Sequence, residues 1–290
     1  MSISRRAFLV AGAASGLGQR ARPFAAEKLA GLRIGVTDWN LRQTSRTEAV
    51  ALADSLGFDG VEVSLGRKPV DNKLPLDDPR VQAQYLAEAK KHNLRLAGTC
   101  LDILHVNYLK NDKLGQKWVA DGIPITRKLN ARVMLLPFFG KGALVSRAEM
   151  DTVGNILKEL APEAEKAGVI LGIEDTISAE DNVRIVDRAR SSAVLVYYDV
   201  GNSTQGGFDV VKEIRWLGKN RICQFHLKDN PNYLGEGAID FPGVIRAIAD
   251  LEFEGFANLE TVAPSRSIEN DMRRNLDYVR GLIGRTRRGV

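Results

Sequence analysis

The chain has little that would bind soft metals or build a disulfide framework: three histidines and two cysteines in 290 residues. Cys100 and Cys223 each sit in or at the edge of an apolar, strand-like run, so they read as two buried thiols rather than as a cross-linked scaffold. No apolar run reaches the roughly 18 residues a spanning helix needs, which excludes stable membrane insertion as the organising principle. The first strand-like run is followed by TDWNLRQTS, without glycine, so the phosphate loop of an open doubly wound sheet is missing. There is also no interior basic patch: the formal net charge of +5 is concentrated at the two ends, in Arg5, Arg6, Arg20 and Arg22 in front and Arg285, Arg287 and Arg288 behind. A nucleic-acid partner is therefore not expected.

What is present is a repeating unit. Eight short aliphatic or β-branched runs occur at 33–39, 60–65, 94–101, 131–138, 169–175, 193–200, 221–229 and 256–261. Helical candidates lie between and after them at 46–56, 78–91, 112–129, 147–166, 179–190, 208–217, 241–251 and 268–283. In the fourth, Val153, Ile156, Leu157, Leu160, Ala161 and Ala164 recur at helical spacing. Ser45, Ser146, Ser178 and Ser267 stand where N-caps belong, with Glu149 completing a capping box for Ser146; Gly57 and Gly168 stand where helices close. Runs such as VMLL and VLVYY, apolar on successive positions, suit parallel strands buried on both faces. Eight such units in about 260 residues predict an α/β fold with one domain, a (β/α)8 TIM barrel.

The N-terminus carries its own signal. SRRAFLV followed by AGAASGLG and Ala25-Ala26 resembles a twin-arginine export signal, which predicts that residues 1–26 are an address, 27–284 the barrel and 285–290 a basic tail. The protein would then work in the periplasm or otherwise outside the cytoplasm. The alternative is a disordered basic start on a cytoplasmic protein.

In a barrel of this kind the strand-to-helix loops open on one face, and chemistry comes from the C-terminal ends of strands. Glu174, Asp199, His226 and Glu260 lie at the C-terminal ends of the strands expected within the last four runs. Three carboxylates brought close together in a partly desolvated pocket repel one another, and a divalent cation is the economical remedy. Oxygen donors with one imidazole suit Mn²⁺, Mg²⁺ or Co²⁺ better than structural zinc.

The order IEDT, YYDVGNS, FHLKDNPNYLGEGAIDF and NLET resembles the sugar phosphate isomerase/epimerase family of the xylose-isomerase-like superfamily, in particular its ketose 3-epimerases and pentulose-5-phosphate 3-epimerases. The resemblance spans 33–283 and is densest over 199–241. It implies that Glu174, Asp199, His226 and Glu260 hold one divalent metal, with manganese first and Mg²⁺, Co²⁺ or Zn²⁺ as alternatives. Glu174 and Glu260 would be the catalytic acid/base pair, moving a proton on a ketose or related carbohydrate through a cis-enediolate. Substrate contacts are expected from Glu62, His105, Lys228, Asn202 and Trp39. Four of them have a plainer reading: a salt bridge for Glu62, a packed loop for His105, an ion pair with Asp229 for Lys228, core for Trp39. Asn202 and Asn232 stand where the ketose 3-epimerases commonly have a histidine and an arginine, so the metal reading carries over but the substrate reading does not carry over whole. An exported enzyme favours a free sugar or modified glycoside over a sugar phosphate. Competing readings are a sugar- or metal-binding barrel without turnover, a lyase on a modified glycoside, and the histidine-rich apurinic endonucleases, which three histidines disfavour. A homo-oligomer is allowed and not required.

Overall fold

The structure is a computed structural model and describes residues 29–288; the export-signal reading of residues 1–26 lies outside them. Eight parallel strands close into a barrel in chain order: β1 (Leu32–Thr37), β2 (Gly60–Ser64), β3 (Arg95–Cys100), β4 (Val133–Pro137), β5 (Ile170–Glu174), β6 (Val194–Asp199), β7 (Ile222–Leu227) and β8 (Gly255–Leu259). Closure is made by β1 on β8, registered from Leu32 opposite Gly255 to Val36 opposite Leu259. Every residue of β2, β4 and β7 is buried, as strands covered on both faces require.

The helices surround this barrel: α1 (Glu48–Leu56), α2 (Pro79–Lys91), α3 (Lys113–Lys128), α4 (Arg147–Ala167), α5 (Ala179–Ala189), α6 (Val200–Gln205), α7 (Val210–Leu217), α8 (Phe241–Asp250) and α9 (Ile268–Arg288). Ser146 and Glu149 form the expected capping box on α4, Ser178 caps α5, and Gly57 and Gly168 close α1 and α4 in the left-handed conformation. Among the described residues no helix is long and apolar enough to cross a membrane.

Three local expectations are corrected. Ser45 does not cap α1; it has φ 56 and its hydroxyl lies 3.0 Å from the Ser64 carbonyl, while Thr47 occupies the cap position. The single helix expected over 208–217 is preceded by a second one, α6, because the Asp199 carboxylate caps the chain as soon as β6 ends. The basic residues 285–288 continue α9 instead of forming a separate tail.

Side-chain alternation divides the core in two. Outward-facing residues such as Val36, Val63, Leu136, Ile173 and Phe225 pack with the helices in the larger cluster. A smaller cluster of Cys100, Val133, Leu135, Tyr197 and Cys223 belongs to the barrel interior, and both cysteines are free and buried as expected. Above this apolar layer the interior turns polar.

Candidate metal centre

The period of two along a strand decides what stands at the mouth. Glu174 and Asp199 are the last residues of β5 and β6, His226 the penultimate residue of β7, and Glu260 follows β8 directly. Their side chains converge, with one oxygen or nitrogen from each lying within 4.8 Å of all the others. His226 turns Nδ1 toward the three acids, 2.9 Å from Glu174 Oε1 and 3.6 Å from both Asp199 Oδ2 and Glu260 Oε2. A cation with oxygen ligands at about 2.0–2.6 Å fits such a spread.

Each acid is held by donors from the surrounding segments. Asp199 Oδ1 accepts the backbone N–H groups of Gly201 and Asn202 at 2.7 and 2.8 Å. Its Oδ2 faces the site, where Lys228 Nζ lies 2.8 Å away. The donor set itself suits a cation: three carboxylates and one imidazole nitrogen meet at one point, with a single ammonium beside them. Glu174 Oε1 receives Asn202 Nδ2 at 3.3 Å, and Glu260 receives Trp39 Nε1–H on Oε1 at 3.0 Å and Lys228 Nζ on Oε2 at 2.6 Å.

Burial and charge act against each other at Glu174, Asp199, His226 and Lys228. Burial pushes the Glu174 carboxyl up to about 8, against the pull of the His226 charge. Burial also acts to raise Asp199, but the Lys228 ammonium and His226 outweigh it and hold that carboxyl below the ordinary range. For His226, burial opposes protonation and is overcome by the charges of Glu260, Glu174 and Glu62, so the imidazole sits well above its usual value. The same competition, with Asp199 and Glu260 winning over burial, raises Lys228.

The acids Glu174 and Glu260 open on a cavity of about 850 Å³, and Trp39, His105, Asn202 and Lys228 also line it. Four of the five expected substrate contacts are therefore at the mouth. Glu62 is not: it is fully buried, with its Oε2 receiving Tyr197 Oη–H at 2.8 Å and Asn258 Nδ2 at 3.2 Å and lying 2.9 Å from His226 Nε2. Lys228 does not pair with Asp229 either. Asp229 instead accepts Gly235 N–H and Gly237 N–H at 3.3 and 2.9 Å, bracing the GEG loop from within. Asn232 is exposed and stands outside the residues that line the cavity.

Several contributors escaped the sequence reading. Arg67 and Phe139 line the cavity, Phe139 stacked on His105 with ring centroids 6.0 Å apart. Arg67 Nε is 3.3 Å from buried Asp102, which also receives Ser64 Oγ–H at 2.9 Å. Burial, helped by the Arg67 charge, lowers the pKa of His105, which favours a neutral imidazole. Tyr197, Gln224 and Asn258 sit two positions before Asp199, His226 and Glu260, on the same strand faces and one layer deeper. That spacing is the signal that could have found them. A wider cavity of about 1580 Å³ lies at the opposite end of the barrel and contains none of the four converging groups.

The family model for the Xylose isomerase-like TIM barrel matches residues 50–282. The chain belongs to that family. Within the xylose isomerase-like barrels it is similar to 2-epi-5-epi-valiolone 7-phosphate 2-epimerase of Actinoplanes sp., 25% identical over 206 residues that cover 69% of this chain and 73% of the relative. Among solved structures, D-psicose 3-epimerase with D-tagatose from Clostridium cellulolyticum H10 superposes with a TM-score of 0.72 at 16% identity, covering 87% of this chain and 99% of the other. The apo form of 3-keto-D-glucoside 4-epimerase from E. coli gives a TM-score of 0.65 at 15% identity, covering 86% and 99%. At these identities the two structures show a shared fold.

Proposed function

We propose that the protein is a divalent-metal-dependent sugar isomerase or epimerase that moves a proton through a cis-enediolate. The observation that carries this reading is the convergence of Glu174, Asp199, His226 Nδ1 and Glu260 within 4.8 Å at the floor of a cavity. When bound there, a divalent ion such as Mn²⁺ would supply Lewis acidity, lowering the cost of removing a proton next to a ketose carbonyl.

The protein's own groups do the rest. Glu174 and Glu260 come from strands three apart around the ring, so they approach a sugar from different sides. One takes the proton from carbon and the other returns it; return to the opposite face of the same carbon epimerises, and return to the neighbouring carbon isomerises. Asn202 holds Glu174, while Trp39 and Lys228 hold Glu260, which keeps both carboxylates aimed. A cavity of about 850 Å³ is of a size that holds drug-sized ligands, which leaves room for a substituted sugar. With residues 1–26 read as an export signal, a free ketose or keto-glycoside is the preferred substrate class over a ketose phosphate.

Solvent-deuterium incorporation into a panel of ketoses, keto-glycosides and ketose phosphates, with and without Mn²⁺, tests the reading. Metal-dependent exchange in at least one substrate is expected, reduced about 10²–10⁴-fold in Glu174→Gln and in Glu260→Gln. Exchange that persists unchanged in both variants would overturn it.

A further inference from the structure

We propose that Glu62 is a positioning residue that fixes His226 with its proton on Nε2, so that Nδ1 offers its lone pair to the cation. The inference rests on the metal reading of the site and adds a group that touches neither metal nor sugar.

The geometry assigns the role. Glu62 reaches across the barrel from β2, and its Oε2 lies 2.9 Å from His226 Nε2. The same oxygen accepts from Tyr197 Oη and Asn258 Nδ2. An oxygen that already takes a hydroxyl and an amide hydrogen faces the ring as an acceptor, so the ring nitrogen opposite it is the one that supplies a hydrogen. The opposite nitrogen then faces Glu174, Asp199 and Glu260. The ring has little freedom to turn: His226 is fully buried, Tyr197 lies 4.6 Å away between centroids, and Trp39 meets it edge-on at 6.0 Å.

A second observation points the same way. Glu62 Oε1 is buried and has no hydrogen-bond partner. A fully buried carboxylate with one oxygen unserved is costly to keep for packing alone. It is understandable beside an imidazole whose ligand strength it raises, the usual arrangement behind a metal-bound histidine. The interior position also removes the expected alternative, a substrate-facing acid.

The low histidine count makes the test direct, because only His92, His105 and His226 contribute side-chain signals in a protein labelled with ¹⁵N-histidine. In the Zn²⁺-loaded wild type, one histidine should show a protonated Nε2 and a metal-bound Nδ1. Glu62→Leu should lose that fixed Nε2–H signal and bind Zn²⁺ and Mn²⁺ about 10–100-fold more weakly by calorimetry. Glu62→Gln keeps the size and an acceptor; it should retain the tautomer and weaken binding by a smaller factor, and it carries the test if Glu62→Leu does not fold. Wild-type affinity in both variants, or a loaded wild type with Nδ1 protonated, would overturn the assignment while leaving the metal site standing. A wild type that takes up no divalent ion would instead sink the metal reading itself, and this one with it.

Discussion

Trp39 donates its indole N–H to Glu260 across the first and last strands of the barrel, at 3.0 Å, although the two residues are 221 positions apart in sequence. The contact gives an aromatic residue at the mouth a polar task. Trp39→Phe keeps the ring plane beside His226 and removes only the donor. A hydrogen bond to a charged group contributes about 1.5–3 kcal/mol, so proton exchange into substrate should slow by about 10–100-fold with the fold intact. A variant with wild-type exchange rates, measured by deuterium incorporation, would return Trp39 to the role of apolar wall.

Stability should depend on the metal. Glu174, Asp199 and His226 are buried together, and a cation that binds only the folded state stabilises it by mass action. At a hundredfold excess over the dissociation constant the gain is about 2.7 kcal/mol, which for a domain of this size corresponds to roughly 5–10 °C in Tm. Calorimetric scans after dialysis against a chelator, and again after adding Mn²⁺, should differ by that amount. In a Glu174→Gln, Glu260→Gln double variant the difference should largely disappear.

Much of this arrangement was legible before the fold. Glu174, Asp199 and His226 could be placed at or next to strand ends because β-branched runs mark buried parallel strands and barrel chemistry collects at their ends. Glu62 was misjudged for a physical reason: whether a strand-end acid faces the mouth or the interior depends on barrel stagger, which no local pattern records. Tyr197 read as part of an apolar run because its hydroxyl matters only through Glu62 and Asn258, which are donated by other strands. The extra helix after β6 was hidden because Asp199 does two things at once, capping a helix with Oδ1 and facing the site with Oδ2.

Metal uptake should strengthen as pH rises. Metal ligands bind deprotonated, yet burial holds Glu174 at about 8 and neighbouring acids raise His226. Both shifts mean that the protein without metal keeps protons that the cation must displace. Lowering pH therefore weakens binding, and raising it through about 8 relieves the competition. The expected slope is up to about tenfold in affinity per pH unit for each proton released. Calorimetric titrations with Mn²⁺ in buffers of differing ionisation enthalpy would count those protons, and a flat profile from about pH 6 to about pH 9 would contradict the shifts.

Lys228 places its ammonium 2.8 Å from Asp199 and 2.6 Å from Glu260, so it shares two carboxylates with the proposed cation. Its stem passes over Gly201, where any Cβ would run into Lys228 Cγ, which explains the glycine of the DVGN segment by close approach. Two effects of Lys228→Met then oppose each other. Removing a positive charge makes the acids more attractive to a divalent ion, so Mn²⁺ affinity should be unchanged or higher. Losing the contact that steadies Glu260 and faces the cavity should cut proton exchange by about 10²-fold, near the 3 kcal/mol of a charged hydrogen bond. Gly201→Ala should reproduce the exchange defect more mildly, by displacing the stem while keeping the charge. Weaker metal binding in Lys228→Met would show instead that the ammonium supports the metal site, and calorimetry beside deuterium exchange separates the two roles.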